Sequence, residues 1–323
     1  MSAPIVYVAL QQFCEADDRP LQVLEGAGLE VRRNTLGRRL RQDELLDALR
    51  DVDAVLAGVE PYDAALLADL PRLRCISRCG VGTDSIDLEA AKRHHVTVLT
   101  TPDETVEAVA QMTVAMILAL ARNLPLHVAD AHAGRWQKRT GWLLSEWTIG
   151  LVGFGRIGRE VERLLRPFGP RMLVTDPGVS PADLPAGVEP RALSALLAEA
   201  DLVSLHAARR KADGPILGAK ELARMKRGSR LVNTARGLLV EEAALSAALG
   251  SGHLAGAAVD VFEEEPYTGE LACLPQVLCT PHVATLTKAS RVAMELRCAQ
   301  NVVDCVTRAG LIEDGATPRL SRR

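Results

Sequence analysis

The stretch TIGLVGFGRIG, residues 148–158, runs from five residues of strand character straight into three glycines spaced GxGxxG. Beyond them Ile157, Val161, Leu164 and Leu165 recur on one helical face, so the glycines stand at a strand-to-helix turn. Each has its own reason to lack a side chain. Gly153 permits the tight turn, Gly155 lets a pyrophosphate approach the backbone, and Gly158 lets the helix pack on the strand. Arg156 and Ile157 open that helix, whose first N–H groups have no partner inside it and face an anion.

The following strand narrows the kind of anion. RMLVT, residues 171–175, ends at Asp176, 18 residues after Gly158. An acid at that place accepts hydrogen bonds from both hydroxyls of an adenosine ribose and repels a 2′-phosphate, which predicts NAD rather than NADP.

Outward from this unit, short β-like runs alternate with helical patterns in both directions. On the C-terminal side they are DLVSLH (201–206), SRLVNTA (229–235), AGAAVDV (255–261) and QVLCT (276–280). On the N-terminal side they are IVYVAL (5–10), LEVRRN (29–34), DAVLAG (53–58), LRCIS (73–77) and VTVL (96–99). Such alternation predicts parallel sheets covered by helices, here as two doubly wound α/β units. A long helix is expected over residues 103–123, between Pro102 and Pro125, and a less regular region over 125–148 that holds Trp136, Trp142 and Trp147. Clustered large aromatics suit a subunit contact, so this region reads as a dimerisation arm.

Composition excludes other classes. The 323 residues carry a net charge of −3 with both signs mixed along the chain, so neither a basic nucleic-acid face nor an acidic tail is implied. The apolar stretch starting at Val109 has about 13 strongly hydrophobic residues, short of the roughly 20 that span a bilayer. No basic segment precedes the first apolar run, so no signal peptide and a cytoplasmic location are expected. Seven cysteines without a CxxC pair read as reduced, mostly buried thiols, and no metal site is expected.

In an open α/β sheet the ligand lies beyond the carboxyl ends of the strands. Asp176, His206, Arg236, Asp260 and His282 each close an apolar run of the second series and are expected to line one crevice. Arg236, between Ala235 and Gly237, offers the planar fork that a carboxylate needs. His206 reads as a residue of the cofactor pocket.

Taken in order, RCGVGTDSIDLEAA (78–91), TPDETVEAVAQMT (101–113), GLVGFGRIGRE (150–160), MKRGSRLVNTARG (225–237), AGAAVDVFEEEP (255–266) and TPHVA (280–284) resemble the D-2-hydroxyacid dehydrogenases, in particular their phosphoglycerate dehydrogenase-like branch. The resemblance covers nearly the whole chain. It implies a flavodoxin-like substrate-binding domain from residues 1–101 plus 285–323 and an inserted Rossmann domain for NAD from residues 102–284. A homodimer is expected from the arm, and no regulatory domain is expected beyond the last helix.

The resemblance also implies roles. Arg236 matches the arginine that holds the substrate carboxylate and keto oxygen, His282 the acid/base histidine, and Glu265 the carboxylate that orients it. Val81 and Gly82 match the loop whose backbone N–H groups bind the substrate carboxylate. Asp260 matches a residue near the nicotinamide carboxamide, Asp176 the ribose-binding acid, and Ala235 the cofactor side of the arginine turn. The chemistry independently calls for such groups, because reduction of a 2-oxo acid needs a proton donor at the oxygen that becomes the alkoxide.

The chain departs from the family pattern in three places. Arg209, Arg210 and Lys211 replace the usual residues after His206, and a basic cluster there leaves NADP open. Gln111 stands where a carboxylate is usual. Gly58, Val59 and Glu60 stand where phosphoglycerate dehydrogenases end the strand with an arginine, which weakens the case for 3-phosphoglycerate itself. Arg78, just before the CGVG loop, can still reach a second anionic group on a substrate, whether carboxylate, phosphonate or phosphate. Two other readings stay open: a phosphite-type small-anion dehydrogenase, and an NAD-sensing binding protein like the corepressors of the family.

Overall fold

In the computed structural model, which describes residues 3–208 and 213–313, every named strand pair is parallel. The chain divides into a unit formed by Met1–Thr105 with Leu286–Arg323 and a unit formed by Val106–Thr285.

The first unit holds β1 (Ile5–Val8), β2 (Glu30–Arg33), β3 (Ala54–Ala57), β4 (Cys75–Arg78) and β5 (Thr97–Leu99) in the order β2-β1-β3-β4-β5. β1 and β3 are buried at every position, which is why their sequences are continuously apolar rather than alternating. The edge strand β2, EVRR, is half-exposed and polar. One face of the sheet is covered by α1 (Arg19–Gly26) and by the C-terminal helix α11 (Lys288–Arg308), with Val23, Leu24, Met294, Val302 and Val306 packed against Val6, Val8 and Leu56. The opposite face takes α2 (Gln42–Leu49), α3 (Ala64–Ala68) and α4 (Leu88–Arg93), whose Leu45, Leu49, Leu66 and Ala90 pack against Tyr7, Val55 and Ile76.

The second unit starts with α5 (Val106–Ala121) and α6 (Leu124–His132). Its strands are β6 (Thr148–Val152), β7 (Arg171–Thr175), β8 (Val188–Pro190), β9 (Leu202–Leu205), β10 (Arg230–Asn233), β11 (Gly256–Val259) and β12 (Val277–Cys279), in the order β12-β11-β10-β9-β6-β7-β8. α7 (Arg156–Leu165), α8 (Leu193–Glu199), α9 (Ala219–Arg224) and α10 (Glu242–Gly250) alternate with them. The strand order reverses between β6 and β9, so the crevice for a ligand opens beyond the carboxyl ends of those two strands.

Three sequence expectations need correction. Residues 125–148 are not wholly irregular, because Pro125 sits in the first turn of α6, where its fixed φ and missing N–H are tolerated, rather than after a helix end. Trp147 is buried with Arg230 stacked over its ring at 4.9 Å, so it belongs to the core and not to an exposed arm. β8 was too short to show as a periodic pattern. Of the seven cysteines, Cys75, Cys79, Cys298 and Cys305 are buried, while Cys273 is exposed. No single helix among the described residues is long and apolar enough to cross a membrane.

Candidate active site

The glycine turn fits a dinucleotide for steric reasons visible in the backbone. Gly153 has φ +97, and a Cβ there would stand 2.6 Å from the Ala207 nitrogen. A side chain at Gly158 would press on the carbonyl of Gly153. At Gly155 nothing lies within 4 Å of the Cβ position, which leaves open space directly before α7. A pyrophosphate needs that space beside the first-turn N–H groups of a helix, where Arg156 and Ile157 stand.

Asp176, one residue past β7, turns its carboxylate back onto this turn. One oxygen accepts the Phe154 N–H at 2.6 Å and the other the Gly178 N–H at 2.8 Å. A carboxylate has about four acceptor positions, so both oxygens keep capacity for ribose hydroxyls. His206 follows β9 and bonds Ser204 Oγ through Nε2 at 2.9 Å, while its buried Nδ1 has no partner among the described residues. Burial pushes its pKa down to about 4, so the ring is neutral at physiological pH. The glycine turn, the acid and the buried His206 ring, whose Cβ lies 3.6 Å from the Cβ position of Gly158, together suit NAD. Arg209, Arg210 and Lys211 lie outside the described residues.

The chemistry-bearing groups gather around three turns at the other side of the sheet. β10 ends at Asn233, whose side chain clamps the next turn by accepting from the Ala235 N–H at 3.1 Å and donating to the Arg236 carbonyl at 2.8 Å. Arg236 Nη1 donates to the Ala235 carbonyl at 2.7 Å. Gly237 follows because the turn lies directly on the backbone of Phe262 and Glu263, where a Cβ has no room. The arginine turn is thereby fixed to the segment that carries Glu265.

Glu265 divides its carboxylate between two tasks. Oε1 accepts the Phe262 N–H at 3.0 Å, which holds the side chain, and Oε2 lies 2.8 Å from His282 Nδ1. An ionised carboxylate only accepts, so the proton between them sits on Nδ1. Nε2 is then the nitrogen left to exchange a proton, and the His282 side chain is 45% exposed.

His282 itself has φ 54, in the left-handed region that a non-glycine residue enters at a cost of about 1–3 kcal/mol. Its surroundings enforce it. The His282 N–H donates to the carbonyls of Asp260 at 2.8 Å and Thr280 at 3.0 Å. The fully buried Asp260 carboxylate accepts from Thr280 Oγ1 at 2.5 Å and from the N–H groups of Val283 and Ala284, each at 2.9 Å. Asp260, matched by the resemblance to the nicotinamide side, thus anchors the loop that presents His282. Thr280 was not singled out by sequence, and its only signal there is its place beside the Pro281–His282 pair.

Arg78, Val81 and Gly82 belong to the first unit. The Gly80 N–H donates to Thr101 Oγ1 at 2.8 Å, and the Cys79 N–H to the Ala57 carbonyl at 2.9 Å, so the loop start is tied down. The N–H groups of Val81 and Gly82 have no acceptor among the described residues. The Arg78 guanidinium folds over Gly80 and donates to the Cys79 carbonyl.

Comparison with known proteins identifies the family. Residues 114–284 match the family model described as D-isomer specific 2-hydroxyacid dehydrogenase, NAD binding domain. A glyoxylate reductase of Thermococcus litoralis is 36% identical over 271 residues, covering 80% of this chain and 82% of that protein. A D-3-phosphoglycerate dehydrogenase of Mycobacterium bovis is 37% identical over 251 residues, covering 76% of this chain, which spans only 48% of that longer protein. The solved structure of the TT0316 protein from Thermus thermophilus superposes with a TM-score of 0.84 at 33% identity, covering 98% of this chain and 100% of that one. The chain belongs to the D-isomer-specific 2-hydroxyacid dehydrogenase family and is an NAD-dependent oxidoreductase.

Proposed function

We propose that the protein interconverts a small 2-oxo acid and its D-2-hydroxy acid, with reduction of a glyoxylate-like substrate as the reaction. The observation that carries this reading is the 2.8 Å contact between His282 Nδ1 and Glu265 on a segment packed against the Arg236 turn. The nicotinamide cofactor, when bound, would supply the hydride as NADH in reduction and accept it as NAD+ in oxidation.

Each side chain then has one task. The Arg236 guanidinium takes the substrate carboxylate and the keto oxygen through its fork of donors. In the first unit, the loop of Val81 and Gly82 matches the family's carboxylate-binding loop, and its backbone N–H groups have no acceptor among the described residues. His282 Nε2 gives its proton to the keto oxygen as C2 gains hydride, and the oxo acid becomes the hydroxy acid with charge conserved. In oxidation the neutral ring takes that proton back. Glu265 keeps Nδ1 protonated and the ring facing one way in both directions.

The test is a panel of glyoxylate, hydroxypyruvate, 3-phosphohydroxypyruvate and 2-oxobutyrate, each assayed with NADH and with NADPH. Asp176 leads to faster turnover with NADH, and the products should be D isomers where C2 is chiral. Absence of turnover on all four acids with both cofactors would contradict the reading.

The assembly proposed is a homodimer in the cytoplasm. Leu124, Val128, Trp136, Trp142 and Leu143 are exposed along and after α6, with Trp136 at 92%. Monomeric proteins rarely leave such a set uncovered. Sedimentation equilibrium should give twice the 34.7 kDa chain mass, and Trp136→Glu should shift it toward one chain. A monomeric wild type at micromolar concentration would refute the arm.

A further inference from the structure

In the second unit the ladder of β10, β11 and β12 runs one rung past the strand ends. The Asp260 N–H donates to the Asn233 carbonyl and the Thr280 N–H to the Val259 carbonyl, each at 3.0 Å. Asn233 clamps the Arg236 turn with its amide. At the neighbouring strand end the Asp260 carboxylate does the same for the His282 turn, with unequal shares for its two oxygens. Oδ1 takes both the Thr280 hydroxyl at 2.5 Å and the Val283 N–H at 2.9 Å, while Oδ2 takes the Ala284 N–H at 2.9 Å.

Two donors on one oxygen impose a shape. Thr280 and Val283 are drawn to a single atom, so Pro281 and His282 between them must bow outward. Proline cannot absorb the bend, because its ring fixes φ near about −65°. The bend falls on His282, whose φ is 54. Such a backbone costs a residue with a side chain free energy and persists only where its surroundings over-determine it. Of the three donors to this carboxylate only the Thr280 hydroxyl belongs to a side chain, and Asp260 is fully buried, so bulk water does not replace a hydroxyl that is removed.

We propose that Thr280 is a positioning residue for the proton transfer, its hydroxyl closing the pinch that sets the His282 ring against Glu265. Without that bond Oδ1 of Asp260 holds the turn from the Val283 side alone, and the strained backbone of His282 is free to relax. The ring then drifts from its 2.8 Å contact with Glu265 Oε2, and Nε2 loses its aim. Glu265 stays in place, because its other oxygen is held by the Phe262 N–H. The effect is on orientation and not on charge, since Thr280 touches neither the ring nor the reacting atoms. The inference rests on the 2-oxo acid reading above and deepens it by adding a residue to the support of its acid/base group.

The experiment measures kcat and KM for glyoxylate with NADH, together with NADH affinity and thermal melting, in Thr280→Val and Thr280→Ser. Valine keeps the β-branch that suits a strand end and removes the donor. Its kcat should fall about tenfold, a misplacement effect well short of losing the histidine, while KM for glyoxylate and Kd for NADH stay within about threefold. Serine restores the donor without the methyl, and its kcat should return to within about threefold of wild type. A merely structural role would lower the melting temperature and leave kcat per folded molecule unchanged in Thr280→Val, which overturns the inference. A serine variant as slow as the valine one overturns it too, because the hydroxyl would then not be what matters. Should Thr280→Val fail to fold, Thr280→Cys takes its place, a thiol being only a weak donor, and wild-type kcat in that variant overturns the inference. If wild type binds NADH but reduces none of the four acids named above, the 2-oxo acid reading fails first and this inference falls with it.

Discussion

Asparagine at position 282 should lower kcat for 2-oxo acid reduction by about 10² to 10⁴, the usual worth of a positioned acid or base. Affinity for NADH should change little, because the cofactor-binding turn and Asp176 lie on β6 and β7, away from the histidine loop. Asparagine also tolerates the left-handed backbone that His282 adopts at φ 54, so the substitution removes the ring without forcing the loop. Glu265→Gln isolates the other half of the pair. Its amide oxygen can still accept from Nδ1, yet it no longer carries the charge that favours the proton there, so activity should fall less than in His282→Asn. The double variant should be barely worse than His282→Asn alone, because groups acting as a unit are not additive. Stopped-flow hydride transfer and NADH titration separate the two effects. Turnover within threefold of wild type in His282→Asn would remove the histidine from the chemistry.

Much of this site could be read before any coordinates because its requirements are local. Gly153, Gly155 and Gly158 are dictated by contacts within one strand–turn–helix, and the continuous apolar runs of β1, β3 and β9 follow from burial on both faces. What depends on distant pairing was hidden. Glu265 looks like part of a solvated acidic turn, and only its match to a family motif marked it. Its meaning comes from His282, 17 residues later, and from the Phe262 N–H. The Asp260 carboxylate serves donors 20 to 24 residues downstream, which no periodicity reports. Glu60 drew notice only as the residue that is not an arginine. Its Oε2 accepts the Gly58 N–H at 2.9 Å, where a Cβ at position 58 would stand 2.8 Å from the same oxygen. Pro125 misled because a proline after a helix and a proline in the first turn of the next look the same in sequence.

Arg236→Ala should cost about 10² to 10³ in kcat/KM for glyoxylate, because a buried or half-buried charge contact to a carboxylate is worth about 2–5 kcal/mol when one partner is truncated. Most of the loss should appear in KM if the guanidinium mainly binds the carboxylate. It should extend to kcat if the same fork also reaches the keto oxygen as that oxygen gains charge. Arg236→Lys discriminates charge from shape, since an ammonium restores the charge but not the two parallel donors, and it should remain at least about tenfold below wild type. The turn also has supports other than the arginine. They are Asn233, which bonds the backbone of Ala235 and Arg236, and Gly237, whose missing side chain lets the turn lie on Phe262. The Arg236 side chain donates to the Ala235 carbonyl, a bond that lysine at 236 would lose at small cost on a half-buried turn. Thermal melting should therefore shift by only a few degrees in either variant. A variant that melts like wild type, binds NADH like wild type and still keeps kcat/KM within threefold would show that the carboxylate is held elsewhere, and the roles given to Arg236 and His282 would have to be assigned anew.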